Sequence, residues 1–258
     1  MRISIIGAGR VAYHLARVLS AQHEIVQIYS RTLDKAQQLA DQFKAQAIAQ
    51  PENLNQDIDL MIIAVSDQSI AEVIRQVYFY LQDVLIVHTS GSSHLNVLAD
   101  VHAKSGVFYP LQTFSLEREI DWENTPLFIE ASEPEDQEIL THLANSLSKR
   151  VYQYSSDQRL SLHLAAVFAC NFSNYCYDMA KQVVDAQQVD FSLLYPLILE
   201  TANKATQNDP RQGQTGPAMR GDQNILNMHQ QMLEQSERQD LAGVYKLLSQ
   251  QILERHQS

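Results

Sequence analysis

The stretch Ile3-Ser4-Ile5-Ile6-Gly7-Ala8-Gly9-Arg10-Val11-Ala12 decides the fold of this chain. Its first residues form an apolar run that predicts a strand, and a glycine turn follows at once. Apolar residues then recur at helical spacing as far as Leu19. A strand, a glycine turn and a helix form the context in which a G-x-G-x-x-A pattern indicates a dinucleotide site.

Each small residue of this turn has a physical task in binding a pyrophosphate. Gly7 permits the tight turn, Gly9 has no Cβ where the pyrophosphate approaches the backbone, and Ala12 lets helix and strand pack closely. The helix start adds free N–H groups and the positive end of its dipole. The alternative is a turn that only allows packing. We expect cofactor contacts from Gly7, Ala8, Gly9, Arg10 and Val11.

Length and composition bound the class of protein. The chain has 258 residues, of which 45% are hydrophobic, which suffices for one large domain or two smaller ones. Lys and Arg number 19 against 30 Asp and Glu, and the net charge of −11 argues against nucleic acid or an anionic membrane as a partner. No apolar run approaches the roughly 20 residues of a membrane span, and a strand begins at residue 2. We therefore expect a cytoplasmic protein without a signal peptide.

The two cysteines, Cys170 and Cys176, point roughly 120° apart on a helix and cannot bridge. We expect both to be reduced, as in a cytoplasmic protein. No metal site is expected, because zinc needs more closely grouped ligands than the chain offers.

Strands and helices alternate along the first part of the chain. Apolar runs predict further strands at residues 24–29, 58–65, 84–87, 107–109, 127–129 and 151–154. This alternation is typical of βαβ units and predicts a doubly wound, mostly parallel Rossmann sheet of the α/β class. Beyond it only helices are expected, at 157–184, 191–206 with a kink or local break at Pro196, 222–235 and 239–257. We therefore predict a dinucleotide-binding domain over 1–155 and an all-helical substrate and dimerisation domain over 156–258.

The end of the second predicted strand indicates which dinucleotide binds. NAD enzymes usually place an Asp or Glu here to hold the ribose 2′-OH. This chain has Ser30, Arg31 and Thr32 instead, two hydroxyls and a guanidinium that suit a 2′-phosphate. The sequence favours NADP over NAD, and the alternative is a solvated turn.

Further polar residues follow other strands of the predicted sheet, where ligands of such folds collect. We expect the nicotinamide side of the site to be lined by Val65, Ser66, Thr89 and Ser90. Tyr109 and Gln112 follow a later strand and are candidate substrate contacts, although Tyr109 is equally compatible with an aromatic core.

The long helix predicted from Asp157 is apolar over most of its circumference but carries His163, Asn171 and Asn174. At a constant helical turn Asn174 lies roughly 20° and Asn171 roughly 80° from His163, on one side of the helix. Buried polar groups need partners, so hydrogen bonds to neighbouring helices are the structural alternative. We expect the three to line an interdomain cleft, with His163 and Asn171 catalytic and Asn174 positioning substrate.

The segment from Thr215 to Asp222 predicts an irregular turn, with Asp222 as the N-cap of the next helix. Arg220 in this turn is a candidate for binding an anionic group, and a weak surface ion pair with Asp222 is the alternative. His229 lies two helical turns after Asp222 on the same face. A hydrogen-bonded histidine between helices is favoured there, and a second cleft histidine is the alternative.

Several motifs occur together in a fixed order along nearly the whole chain. They are Gly7-Ala8-Gly9 with Ser30-Arg31, Ala64-Val65-Ser66-Asp67, His88-Thr89-Ser90-Gly91-Ser92, Pro110-Leu111-Gln112-Thr113-Phe114, Thr215-Gly216-Pro217 and Arg220-Gly221-Asp222. In this the chain resembles a bacterial family of Rossmann-like proteins with a C-terminal helical domain of unassigned function. It is more distantly similar to pyrroline-5-carboxylate reductase, the 3-hydroxyisobutyrate and 6-phosphogluconate dehydrogenases and the deazaflavin-dependent NADP reductases.

The resemblance implies a nicotinamide-dependent oxidoreductase that is usually a homodimer through its helical domain. The chain departs from its relatives at two positions. The family often has His where Tyr109 stands, and the hydroxyacid dehydrogenases have a catalytic lysine on the long helix, whereas none precedes Asn171 here. The nearest candidate for proton transfer is therefore His163.

Three functions remain open at the level of the sequence. The leading hypothesis is an NADP-dependent oxidoreductase that transfers a hydride between NADP(H) and a small polar imine, keto acid or alcohol. The second is a non-catalytic NADP-binding sensor or assembly module. The third, a methyltransferase, normally needs an acid where Ser30 and Arg31 stand. The substrate itself does not follow from the fold.

Overall fold

The computed structural model describes residues 1–257 and is built on one eight-stranded sheet. The strands are β1 (Arg2–Ile6), β2 (Glu24–Tyr29), β3 (Gln46–Ile48), β4 (Leu60–Ile63), β5 (Leu85–His88), β6 (Ser105–Pro110), β7 (Leu127–Ala131) and β8 (Val151–Gln153). Their order is β3-β2-β1-β4-β5-β6-β7-β8, and β7 runs antiparallel to β6 while the other neighbouring pairs are parallel.

Eleven α-helices accompany the strands over the described residues. They are α1 (Arg10–Leu19), α2 (Leu33–Phe43), α3 (Asp67–Val77), α4 (Asn96–Ala99), α5 (Pro134–Leu147), α6 (Ser156–Ala166), α7 (Ser173–Asp185), α8 (Tyr195–Gln207), α9 (Pro217–Arg220), α10 (Gln223–Gln235) and α11 (Gln239–Gln257). This arrangement confirms the predicted α/β class, with a doubly wound, mostly parallel sheet followed by helices.

The central strands β4 and β5 are buried along their whole length, and β1 is buried beyond its first residue, as their near-continuous apolar runs predict. One core cluster packs α1, α2 and α5 against one face, and the other packs α3 and α4 against the opposite face. The strand order reverses between β1 and β4, which lie side by side in parallel. In open sheets of this kind a crevice forms at the carboxyl ends of the strands where the order reverses.

Some local predictions were wrong. The three-residue strand β3 and the four-residue helix α9 were missed, because both are too short to show a period. The alternative of a local break at Pro196 is confirmed: Phe191–Leu194 forms a 3₁₀-helix, and Pro196 lies in the first turn of α8, where its missing N–H costs nothing.

The helix predicted as continuous over 157–184 is interrupted by a π-helical segment, Val167–Phe172. Its wider turn changes the angle per residue, so a constant 100° cannot relate His163 to Asn174. The apolar circumference of this predicted helix is also not buried within the chain. No residue of α7 is buried, and in α6 only Ser156 and Arg159 are.

The chain forms two compact units, residues 1–168 and 169–258, and the second is described over residues 169–257. The change from alternating strands and helices to helices alone comes at Ser156, and the two units divide further along, after Phe168. In the second unit α9 and α10 both pack against α11, with Ala218, Leu226 and Leu241 among the buried residues. None of the described helices is both long enough and apolar enough to span a membrane.

Candidate functional site

A pocket of about 540 Å³ opens where the sheet order reverses, within the first unit. It is lined by the glycine turn, by the residues that follow β2 and by those that follow β4. The predicted cofactor residues in this lining are Gly7, Ala8, Gly9, Arg10, Val11, Ser30, Arg31, Thr32, Val65 and Ser66. Residues from three separate segments of the chain therefore come together as one surface.

The two glycines of the turn differ in what they do. Gly7 has φ +117°, and a Cβ there would lie 2.2 Å from the carbonyl oxygen of Ala64, so glycine is required for the chain to leave β1. A Cβ on Gly9 would meet nothing within 4 Å, which leaves the backbone open to the pocket. Gly9 is also the N-cap of α1, without a side-chain cap and without an acid in the first turn. The N–H groups of this helix start are thus available to an anion.

The charge of the pocket is opposite to that of the whole chain. Three cationic residues, Arg10, Arg31 and Lys35, line it, and its lining contains no Asp or Glu. Lys35 was missed by sequence reasoning, although its place in the first turn of α2, four residues after Arg31, could have revealed it. The donor set and the open glycine turn together fit a dinucleotide with a 2′-phosphate.

Two predicted cofactor residues, Thr89 and Ser90, are not in the lining of this pocket. They lie in the loop after β5, where the Ser90 hydroxyl oxygen accepts the backbone N–H groups of Ser92 and Ser93 at 3.1 and 2.9 Å. The Ser92 hydroxyl donates to the carboxylate of Asp67, which ties this loop to the start of α3. A role for Thr89 and Ser90 in binding the nicotinamide stays a prediction.

A second group of side chains meets at the same loop. The phenol oxygen of Tyr109, on β6, lies 3.3 Å from Nδ1 of His163, on α6. The two rings meet nearly edge to face, with centroids 6.3 Å apart. Gly91 lies directly against both, because a Cβ there would be 2.6 Å from Tyr109 Cζ and 2.7 Å from His163 Nδ1. Sequence reasoning selected Tyr109 and His163 separately but did not pair them and did not find Gly91.

Burial affects the ionisation of two rings in this region. It raises the pKa of Tyr109 to about 12, with a smaller contribution from the negative charge of Asp67. The phenol therefore stays protonated at neutral pH. Burial, followed by the nearby positive charge of Arg159, lowers the pKa of His88 to about 3, so His88 is neutral.

The remaining predicted residues lie elsewhere. Gln112 is exposed, and its side-chain oxygen accepts the backbone N–H of Thr113 at 2.8 Å. Asn171, Asn174 and Arg220 belong to the second unit and are exposed. The proposed roles of these four in substrate binding or catalysis stay predictions.

Local predictions in the second unit can be compared with the structure directly. Asp222 caps α10 by accepting the N–H of Ile225 at 3.4 Å, as predicted. His229 Nδ1 lies 3.0 Å from the phenol oxygen of Tyr245 on α11, which confirms a hydrogen-bonded histidine between helices.

Cys170 and Cys176 are free and exposed. Among residues 1–257 no group of three or more His, Cys, Asp or Glu side chains is arranged to hold a metal ion.

Comparison with known proteins supports a nucleotide-binding pocket in the first unit. Residues 2–91 match the family described as NADP oxidoreductase coenzyme F420-dependent, and residues 125–252 match a domain of unknown function, DUF2520. A solved structure from Bacteroides fragilis, a candidate NADP oxidoreductase, is 41% identical, with a TM-score of 0.91 and 98% of each chain covered. No curated protein matches the chain.

More distant structures share the fold. A protein from Thermotoga maritima is 21% identical with a TM-score of 0.71, covering 99% of this chain and 98% of its own. An imine reductase from Myxococcus stipitatus, solved with NADP+, is 15% identical with a TM-score of 0.72, covering 98% and 93%.

Fold and pocket define a dinucleotide-binding protein of the Rossmann type. Within that class, the chain belongs to the family of candidate NADP oxidoreductases represented by the Bacteroides fragilis structure, with an N-terminal NADP oxidoreductase domain and a C-terminal domain of unknown function. This confirms the resemblance inferred from the ordered motifs.

Proposed function

We propose that this protein is an NADP-dependent oxidoreductase that transfers a hydride between NADP(H) and a small polar substrate with a C=N, C=O or hydroxyl group. The observation that carries the proposal is the pocket at the glycine turn. It is lined by three cationic side chains and by no acidic side chain. The family to which the chain belongs supports the same conclusion.

Different residues of the chain would bind different parts of the cofactor. The backbone of Gly7 to Val11 would hold the pyrophosphate at the start of α1, and Arg31, Lys35 and the hydroxyls of Ser30 and Thr32 would hold the 2′-phosphate. When bound, NADPH supplies the hydride. Because the pocket has no acid to repel the 2′-phosphate, NADP is favoured over NAD.

We propose that His163 is the residue that donates a proton to the substrate. The Tyr109 phenol keeps its proton, because burial raises its pKa to about 12, and can donate it to Nδ1 of His163. With Nδ1 as the acceptor, the neutral imidazole carries its proton on Nε2. As this proton passes to a substrate nitrogen or oxygen, the phenol proton passes to Nδ1, and the resulting tyrosinate is reprotonated by solvent. Asn171 remains our proposed second catalytic residue, and Asn174, Arg220 and Gln112 remain our proposed substrate-positioning residues.

We also propose that the protein is a homodimer through its helical unit. The helices α7 and α8 bury none of their residues within the chain, although both are rich in large apolar side chains. Leu193, Leu197 and Leu199 are 71%, 62% and 64% exposed. Large apolar side chains exposed to this extent are typical of a protein interface, and a second copy carries the same side chains.

Two measurements test the enzymatic proposal. The first is titration with NADPH and with NADH, followed by nicotinamide fluorescence, and we expect NADPH to bind more tightly. The second is a screen of cyclic imines, keto acids and alcohols for NADP(H)-dependent turnover. His163→Ala should then lower kcat by about 10²–10⁴-fold with little change in NADPH affinity, because it removes only the proton donor.

The control variant is His142→Ala, which removes an exposed histidine on α5 and should leave both quantities unchanged. Turnover unaffected by His163→Ala would refute the role of His163. Tight NADPH binding without turnover in any substrate class would favour the non-catalytic sensor, and absence of NADPH binding would refute both hypotheses.

A further inference from the structure

Arg159 is the largest fully buried side chain of the described residues, with 1% of its side chain exposed. It lies on α6, one turn before His163. Burying a guanidinium is costly, and an ion pair inside a protein adds little net stability. The position of this side chain therefore needs an explanation other than stability.

The guanidinium joins three segments of the first unit. Nη1 donates to Oε2 of Glu130 on β7 at 2.6 Å, and Nη2 donates to the carbonyl oxygen of Ser93 in the β5 loop at 2.6 Å. Nη2 also donates to the hydroxyl of Ser156, at the first residue of α6, at 3.1 Å. The planar fork of arginine suits such a divergent set of acceptors, and a lysine cannot reproduce it.

Ser156 completes the connection. Its hydroxyl donates to Glu130 Oε2 at 2.8 Å and accepts the backbone N–H of Leu95 at 2.9 Å, while its own N–H donates to Glu130 Oε1 at 3.1 Å. The β5 loop, the end of β7 and the start of α6 are thereby fixed to one another at a single buried point.

Gly91 and His163, which contact each other, both lie close in sequence to residues held at this buried point. Gly91 lies two residues before Ser93 in the β5 loop, and His163 lies one turn beyond Arg159 on α6. Since Gly91 touches His163 and Tyr109 directly, the spacing between loop and helix sets how the imidazole meets the phenol. The charge of Arg159 also acts on this region, lowering the pKa of His88 and opposing the burial that raises the pKa of Tyr109.

We propose that Arg159 is a positioning residue for the Tyr109–His163 pair: with Glu130 and Ser156 it locks α6 to the β5 loop so that Nδ1 of His163 stays at the phenol. The importance of this pair for turnover rests on the function proposed above. The positioning itself is a property of the protein without substrate and is testable separately.

The test is the ¹⁵N chemical shift of the His163 ring in the full-length protein at one pH, assigned with a His163→Gln variant. Tyr109→Phe gives the reference for loss of the phenol hydrogen bond. We expect Arg159→Lys, which keeps the charge but not the fork, to move the Nδ1 shift towards the Tyr109→Phe value. In the Arg159→Lys/Tyr109→Phe double variant the two changes should not add.

Ser156→Ala provides a second variant that leaves Arg159 in place, and it should move the same resonance in the same direction. The matched control is Arg150→Lys, an exposed arginine before β8, which should leave the resonance unchanged. If Arg159→Lys and Ser156→Ala lower the unfolding temperature but leave the Nδ1 shift at its wild-type value, Arg159 is only structural and the proposal is overturned. This outcome does not depend on whether any substrate is turned over.

Discussion

At the scale of single residues, Gly91 leaves no room for a side chain, because a Cβ would lie 2.6–2.8 Å from atoms of Tyr109 and His163. We therefore expect Gly91→Ala to separate the two rings and to reduce turnover more strongly than NADPH affinity. Overpacking should also lower the free energy of unfolding by about 1–3 kcal/mol. Urea denaturation and steady-state kinetics measure the two effects.

Gly243→Ala is the matched glycine control. Gly243 lies inside α11, and a Cβ there would meet nothing within 4 Å. Alanine should stabilise the helix by roughly 0.5–1 kcal/mol and leave kinetics unchanged. If both substitutions had the same effect, the close packing of Gly91 against Tyr109 and His163 would not matter.

His88 should make the protein sensitive to acid. Burial and the charge of Arg159 lower its pKa to about 3 from 6.5, so between these values the unfolded chain binds a proton that the folded protein does not. This part of the stability is present above pH 6.5 and is lost as the pH falls towards 3, by up to about 1.4 kcal/mol per pH unit.

His88→Asn removes this titration while leaving an oxygen to accept the Ser90 N–H, which the His88 Nδ1 accepts at 3.1 Å. In urea denaturation between pH 6.5 and the acid limit, we expect a shallower dependence of unfolding free energy on pH in the variant. Equal slopes in the two proteins would show that His88 does not titrate in this way.

At the scale of elements, the start of α6 is defined by a complete capping box. The Ser155 hydroxyl accepts the N–H of Gln158 at 3.3 Å, and the Gln158 side chain accepts the N–H of Ser155 at 3.0 Å. We expect Ser155→Ala to reduce the free energy of unfolding by about 1 kcal/mol, because a helix N–H loses its partner. Urea denaturation measures the loss.

Ser161→Ala is the control on the same helix. The Ser161 side chain is exposed and bonds only to the carbonyl of Asp157 one turn back, so its loss should change stability by less than about 0.5 kcal/mol. A comparable loss from both serines would mean that the cap has no special role.

Elements were predictable where the pattern is local and repeated. The strand, turn and helix around Gly7 and the cap at Asp222 follow from residues adjacent in sequence. The π-helical segment at Val167–Phe172 was not predictable in this way. Nothing in an apolar run distinguishes backbone hydrogen bonds that span five residues, as in a π-helix, from those that span four, as in an α-helix. The face shared by His163 and Asn174 was an inference from regular geometry, and the irregular turn removes its basis.

At the scale of the whole molecule, the apolar surface of the second unit predicts self-association. Light scattering after gel filtration should show a dimer for the wild type. Leu193→Glu/Leu197→Glu, which places two charges on this surface, should give a monomer. The control is Leu116→Glu, at a leucine that is 54% exposed in the first unit, and it should remain dimeric. A monomeric wild type would contradict the homodimer.

The sequence by itself determined the Rossmann class, the glycine turn and the preference for NADP, because these depend on residue types at short, fixed spacings. Only the tertiary structure brought Tyr109, His163 and Gly91 together, added Lys35 to the pocket and revealed the buried Arg159. Contacts between residues far apart in the chain depend on the order of the strands and on side-chain packing, and neither leaves a periodic pattern in the sequence.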